Sequence, residues 1–352
     1  MPKIALIDLG AAWGGQEIYS RLLGQTLTSR GWTVTAVSPH HGHATPGVNH
    51  VPCQIAYSCM PDTARMLRQL TRQDVYHFNG IRAIYLSAAM PRLGPSIGTK
   101  HLPYASEQGE TLKTRLARMA SRWVFHRLDW LISISDTTLQ ELPPEVRRRS
   151  SVVLNGVVDH GAHLETTGDN SEFTVCFVGR FVEHKGLMRL LGAVRILVRQ
   201  GRAPRLLLAG GGPLEVPARA FVEQHGLGHR VEFLGYVQDP GTVFRRSHAC
   251  VLPSLHEGLP LSLLEAMSAR CALVGHPIPG VRDVLRADAN GVFADVSPES
   301  LASVLAALDD DRARLGRLRR TSRADYEHSW RVERMVDETE AIYRRVISEA
   351  GR

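Results

Sequence analysis

Short apolar runs alternate along the chain with longer stretches whose apolar positions fall at helical spacing. "KIALIDLG" (3–10), "WTVTAVSP" (32–39), "DVYHFNG" (74–80), "GTKHLPY" (98–104) and "LDWLISIS" (128–135) read as strands. Between them "QEIYSRLLGQTLTSRG" (16–31), "TARMLRQLTRQ" (63–73) and "LKTRLARMASRWVFHR" (112–127) read as helices. A strand covered on both faces reads as a continuous apolar run, so this alternation predicts parallel strand–helix–strand units. The polar, glycine-containing segment "DHGAHLETTGDNSE" (159–172) has no periodicity and reads as a linker. After it the alternation restarts: "FTVCFVGR", a helix through "GLMRLLGAVRILVRQ", then "PRLLLAGGG", "VEFLGYV", "ACVLPS" and "CALVGH". Two such series predict an α/β chain of two doubly wound, Rossmann-like domains with a ligand crevice, residues 1–158 and 172–328, joined by a linker at 159–171.

One helix breaks its own pattern. In "SLHEGLPLSLLEAMSARCALVG" (254–275), Leu261, Leu263, Leu264, Ala266 and Met267 cover most of a helix that also carries Glu265. A carboxylate in apolar surroundings needs a partner, which is either a basic side chain or a ligand. Glu257 lies eight positions earlier, just before the helix.

Composition adds limits. The chain has 352 residues, 43% hydrophobic and 22% charged, which suits a soluble two-domain protein. Its start lacks the features of a signal peptide, and no apolar run is long enough to span a bilayer, so a cytoplasmic location is expected. The five scattered cysteines have no C-x-x-C spacing, which argues against a disulfide framework or a zinc site. Net charge is +7, and the surplus is uneven: residues 1–150 hold 17 Lys/Arg against 10 Asp/Glu, residues 151–352 hold 25 against 25. That surplus fits an anionic surface or substrate, and equally a role in solubility; no nucleic-acid partner is expected.

Several motifs carry candidate chemistry. Gly14 and Gly15 end a loop between a strand and a helix, where backbone N–H groups can approach an anion, although the full dinucleotide fingerprint is missing. Arg180 and Lys185 in "VGRFVEHKG" follow a strand at the end where doubly wound sheets bind ligands, and two cations there suit a diphosphate; a pair of surface charges is the plain alternative. "DDD" at 309–311 matches a metal-binding D-x-D pattern but sits at a predicted helix end, where solvated carboxylates are the better reading. His40, His41 and His43 fit no preferred metal spacing. No metal and no bound cofactor are expected.

The ordered series "VGRFVEHKG", "LLLAGGGP", "VEFLGYV" and "PSLHEGLPLSLLEAMSAR" resembles the nucleotide-sugar half of the retaining glycosyltransferases of family 4, which have the GT-B fold. "GGQE" (14–17) and "VLNGVVD" (153–159) are similar to that family's first half, so the resemblance covers nearly the whole chain. It implies a nucleotide-diphosphate-sugar donor, UDP-linked by family frequency, and a saccharide acceptor. By the resemblance Arg180 and Lys185 bind the diphosphate, Glu265 the ribose, and Glu257 the transferred sugar. Gly258 and Leu259 offer backbone N–H groups to the donor, Tyr236 and Val237 lie beside the base, and Gly14 and Gly15 belong to the donor loop. His101 matches a histidine placed near the reacting sugar, and residues 329–352 form a helix returning to the first domain. The sequence departs from the family at Arg270, Ala272 and the loop Pro279–Asp283, which leaves any inherited role for that loop open.

The acceptor is expected to be a lipid-linked or cell-envelope saccharide. Arg115, Arg118 and Arg122 form a stripe on one predicted helix with Phe125 beside it, while Leu112, Leu116, Met119 and Trp123 take the core spacing. Such a basic, aromatic face suits an anionic membrane, and a solvated arginine face is the equal alternative. The rival functions are transfer to a soluble amino sugar or cyclitol, a nucleotide-sugar epimerase of the same fold, and a non-catalytic sugar-nucleotide binder.

Overall fold

The computed structural model describes residues 1–10, 14–39, 45–53, 67, 70, 72–88, 91–101, 121–161 and 172–351. The chain divides into two compact units, one formed by Met1–Gly156 with Val332–Arg352, the other by Val157–Arg331.

In the first unit the described strands are β1 (Lys3–Asp8), β2 (Thr33–Ser38), β3 (Val48–Pro52), β4 (Val75–Asn79), β5 (Ser96–Lys100), β6 (Trp130–Ser133) and β7 (Ser150–Val152). They form one sheet in the order β3-β2-β1-β4-β5-β6-β7, every pair parallel. Helices α1 (Gly15–Ser29) and α2 (Gly80–Ala88) follow β1 and β4, and the short α3 (Asp136–Gln140) and α4 (Pro144–Arg147) lie between β6 and β7. All five residues of β4 and of β5 are buried, as central parallel strands require. The "GTKHLPY" strand is thus displaced: it runs from Ser96 to Lys100 and ends before His101. Its small and polar residues hid the apolar run. The stretch 63–73 predicted as helical falls mostly outside the described residues.

In the second unit the strands are β8 (Thr174–Val178), β9 (Arg205–Ala209), β10 (Val231–Gly235), β11 (Ala249–Leu252), β12 (Ala272–Gly275) and β13 (Gly291–Phe293), in the order β10-β9-β8-β11-β12-β13, again all parallel. The helices are α5 (Leu187–Arg199), α6 (Glu215–Gln224), α7 (Gly241–Phe244), α8 (Leu261–Ser268), α9 (Pro279–Arg282), α10 (Pro298–Asp310) and α11 (Arg312–Ser329). The last helix, α12 (Val332–Ala350), belongs to the first unit. Val332, Met335, Val336, Ile342, Tyr343 and Val346 join the core of β1, α1 and β2 residues there.

The units divide at Gly156/Val157 and Arg331/Val332, slightly away from the expected 158 and 328. The reason is local pairing. Val157 donates its N–H to the Trp330 carbonyl at 2.9 Å and forms a parallel bridge with Arg331. Arg323 grips both carboxylate oxygens of Asp159 at 2.6 and 2.7 Å, so the start of the expected linker is anchored to the second unit. Residues 162–171 lie outside the described residues.

In each sheet the strand order reverses once, between β1 and β4 and between β8 and β11. At these switch points the loops leaving the carboxyl ends part, which is where doubly wound sheets bind ligands.

Candidate active site

At the second unit's switch point, β8 leads through Gly179 and the exposed Arg180 to a single 3₁₀ turn, Glu183–Lys185, and then into α5. The loop leaving β11 carries His256, Glu257, Gly258 and Leu259 before α8 starts. The two loops are stitched together. Leu255 donates its backbone N–H to the His184 carbonyl at 2.8 Å, and Lys185 Nζ meets Glu257 Oε1 at 2.6 Å. The Lys185 side chain retains 17% exposure and that of Glu257 9%, so the pair is largely withdrawn from water. His184, between them, is held below its usual range by burial and then by the neighbouring Lys185 charge, with Arg180 and His256 adding to it and Glu257 opposing. Three cationic or ionisable groups and one carboxylate therefore share this corner with Lys185. A site of this composition can hold a diphosphate through its cations and a polyhydroxylated group through its carboxylate.

The sequence offers Lys185 and Glu257 separately, one for the diphosphate and one for the transferred sugar; in the fold they neutralise each other. Separated by 72 positions, they give no pairing signal in the sequence, because the contact depends on β8 and β11 being neighbours.

Gly280 in α9 fixes the same loop from behind. A Cβ there would lie 1.7 Å from the Gly258 carbonyl oxygen and 2.9 Å from that of Glu257. The "PGVRD" loop thus supports the Glu257 turn by close backbone approach. Glu265 stands on α8 among Leu263, Leu264, Ala266 and Met267, each fully buried, but is itself only half-buried, and it has partners of its own. The helix begins at Leu261, with Pro260 at its N-cap. Tyr236, 79% exposed, and the half-buried Val237 follow β10, two strands away from β8.

The first unit's switch point holds a polar cluster that sequence reading found only at its edge. Gly14 caps α1 in extended conformation, Gly15 begins the helix, and the next residue, Gln16, reaches back to Asp8 at the end of β1, Nε2 to Oδ1 at 2.6 Å. Asn79, at the end of β4, donates from Nδ2 to Asp8 Oδ2 at 3.0 Å and to Ser20 Oγ at 2.7 Å. Its Oδ1 lies 2.6 Å from Nε2 of His101, the residue directly after β5. Asp8, Ser20, Asn79 and His101 are all buried. Burial brings His101 down to about 4, with the Asp8 charge opposing, and His77 on β4 down to about 3, with His101 adding to the effect. Asp8 and Asn79 were missed because neither lies in a motif. Once the strand order is known, both stand at the reversal.

The other expectations separate clearly. Phe125 is buried at 2% exposure and Trp123 is 61% exposed, the reverse of the predicted assignment. Ser121, Val124, Phe125 and Leu128 face inward at i, i+3, i+4 and i+7, so the core stripe is rotated by one or two positions. Arg122 is engaged with Glu145 at 2.6 Å. Arg115, Arg118, Leu112, Leu116 and Met119 lie outside the described residues, as do His40, His41 and His43. At 309–311, Asp309 pairs with Arg312, Asp310 with Arg202, and Asp311 caps α11 through the Arg314 N–H at 2.7 Å. Among the described residues no helix is long and apolar enough to cross a membrane, and no group of His, Cys, Asp and Glu is arranged to hold a metal.

Two doubly wound parallel units with their polar clusters at the switch points define a GT-B-type α/β protein. Residues 165–325 match the family model for glycosyl transferases group 1, and residues 13–160 match that for glycosyltransferase family 4. With both halves matched, the chain belongs to the family 4-like glycosyltransferases. It is 30% identical over 144 residues to an alpha-D-kanosaminyltransferase of Streptomyces kanamyceticus, covering 40% of this chain and 37% of that one. It is 31% identical over 166 residues to a phosphatidyl-myo-inositol mannosyltransferase of Mycolicibacterium smegmatis, covering 45% and 42%. The matches thus span about two-fifths of these relatives' length. Among solved structures, Anabaena HepE in complex with UDP and glucose superposes with a TM-score of 0.78 at 15% identity, over 97% of this chain and 99% of that one. A sucrose-phosphate synthase of Thermosynechococcus elongatus does so with a TM-score of 0.80 at 21% identity, over 99% and 100%. At these identities the likeness establishes the fold.

Proposed function

We propose that the protein is a retaining glycosyltransferase that moves a sugar from a nucleotide-diphosphate donor, a UDP-sugar first, to a hydroxyl of a saccharide acceptor. The observation that carries this reading is the Lys185–Glu257 pair at the switch point of the unit that matches the group 1 model. The donor's diphosphate takes Lys185 and Arg180, whose charge offsets the negative charge that grows on the leaving group. Glu257, released from Lys185, accepts from hydroxyls of the transferred sugar, and the backbone N–H groups of Gly258 and Leu259 face the donor. Glu265 accepts from the ribose, and Tyr236 and Val237 flank the base. Attack takes place on the face the nucleotide leaves, with the departing phosphate receiving the acceptor proton. No side chain is assigned as general base, and neither a metal nor an organic cofactor takes part.

For the acceptor, the relatives include a putative colanic acid biosynthesis glycosyltransferase of Salmonella typhimurium and a 2-deoxystreptamine glucosyltransferase of Streptomyces kanamyceticus, so a polysaccharide intermediate and a small aminocyclitol are the two classes to test. With Phe125 in the core and Arg122 engaged by Glu145, the aromatic-basic face no longer argues for a membrane-held acceptor.

A thermal-shift screen of nucleoside diphosphates and their sugars tests the donor class, because a ligand that binds only the folded state raises the melting temperature. Stabilisation by a nucleoside diphosphate and its sugar, followed by sugar transfer that persists in EDTA, is the expected result. Interconversion of the free donor without transfer would point to an epimerase, and binding without turnover to a sensor.

A further inference from the structure

The cluster at the first unit's switch point determines where the protons of His101 lie. The Asn79 amide can be placed in only one orientation. Its Nδ2 lies 3.0 Å from Asp8 Oδ2 and 3.2 Å from the backbone oxygen of Gln16, and a carbonyl oxygen can only accept. Turning the amide over would set its oxygen against that carbonyl and against the carboxylate. Asp8 is itself fixed, by Gln16 Nε2 at 2.6 Å and by the Gly10 N–H at 3.1 Å. Asn79 Oδ1 therefore faces His101 Nε2 at 2.6 Å, and since an amide oxygen has no proton to give, Nε2 carries the hydrogen.

A neutral imidazole has one N–H, so Nδ1 keeps its lone pair. The ring does remain neutral: burial brings it down to about 4. Tyr19 holds the ring edge-to-face at 5.0 Å between centroids, so it cannot turn to exchange its nitrogens without leaving the Asn79 contact. Among the described residues Nδ1 has no hydrogen-bond partner.

We propose that Asp8 and Asn79 are positioning residues that lock His101 as the Nε2–H tautomer, so that its Nδ1 is a hydrogen-bond acceptor for a hydroxyl of the bound sugar substrate. The role for the hydroxyl rests on the glycosyl-transfer reading; the tautomer does not. His101 in this state has no proton to give at Nδ1. It serves to receive a hydroxyl hydrogen bond and to disfavour a sugar lacking that hydroxyl, because the acceptor would then be left unpaired in the bound complex.

The test begins with the full-length protein labelled with ring-¹⁵N histidine, read by multiple-bond proton–nitrogen correlation without ligand. His101 is expected in the Nε2–H pattern throughout pH 8 to pH 5. A Nδ1–H pattern, averaging of the two, or an imidazolium at pH 6 would overturn the proposal. The second arm is Asn79→Leu, which removes the acceptor at similar volume. It is expected to convert the His101 signals to averaged tautomers and to lower kcat by about tenfold or more, with the KM for the nucleotide sugar changed much less. A locked tautomer in Asn79→Leu, or an unchanged kcat, would sink the locking role. Because the wild-type spectrum needs neither variant nor assay, the tautomer assignment stands or falls even if the variant does not fold or the donor class proves wrong.

Discussion

At the scale of single residues, the decisive fact is that Lys185 and Glu257 satisfy one another within the fold. Lys185→Met leaves Glu257, with 9% side-chain exposure, without its cation, and breaking a buried pair from one side is costly. Water still reaches the lysine, so the loss should be about 1–3 kcal/mol, below the range for fully buried pairs. The double change Lys185→Met with Glu257→Gln should recover most of that stability while nucleotide-diphosphate affinity stays low. Denaturation and calorimetry on the same samples check both halves; affinity that returns with stability would mean Lys185 does not bind the diphosphate. A second residue-scale consequence concerns acid. His77 and His101 are held down to about 3 and about 4, so both stay neutral in the fold where an unfolded chain, near 6.5, takes up protons. The unfolded state binds more protons between about pH 6.5 and pH 4, so stability falls as pH falls through that window, by up to about 1.4 kcal/mol per pH unit for each histidine. Unfolding free energies measured across it should show the slope, and His77→Gln should remove about one proton of it.

At the scale of elements, Gly186 carries the turn that presents Lys185. It has φ +77, and a Cβ would lie 2.3 Å from the Pro253 carbonyl oxygen, so Gly186→Ala is both strained and obstructed. A cost of about 2–4 kcal/mol is expected, seen as a lower denaturation midpoint, with donor binding weakened because Lys185 moves with the turn. The same scale explains what could be read from the sequence. The central strands and α1, α5 and α8 were legible because continuous burial writes itself as apolar runs. β3, β7 and β13 were not: they are short and only partly buried, and carry no such run. The helix before β6 was found, but its face was read out of phase, because the inward Ser121 looks polar and the outward Trp123 looks apolar. In the site, Lys185 and Glu257 were visible as residue types in a known order, whereas Asp8, Asn79 and Gly280 acquire meaning only from strand order and backbone proximity, which sequence spacing does not encode.

At the scale of the molecule, the first unit is built from two separated pieces of chain. Six buried apolar side chains of α12 complete its core, and Trp32 Nε1 bonds Glu340 at 3.1 Å while His77 bonds Tyr343 at 2.5 Å. At roughly 1.5–3 kcal/mol each, those six side chains contribute on the order of 10 kcal/mol, comparable with the whole stability of a domain. A chain cut after Arg331 should therefore lose the first unit, while a fragment of 157–331 should remain folded; circular dichroism melts of the two fragments against the full chain test this, and a stable first unit without α12 would refute it. The arrangement also sets an order in time. A chain leaves the ribosome from its amino end, and domains commonly fold in that order as they emerge. Here the first unit must wait for residues 332–350, whereas the unit inserted within it has all of its residues by Arg331. The nascent protein is thus expected to complete the inserted unit first, with the core of the first unit open until residues 332–350 have emerged. That interval is when the apolar faces of β1 and α1 lack their cover, and when a nascent-chain binder would have most to protect.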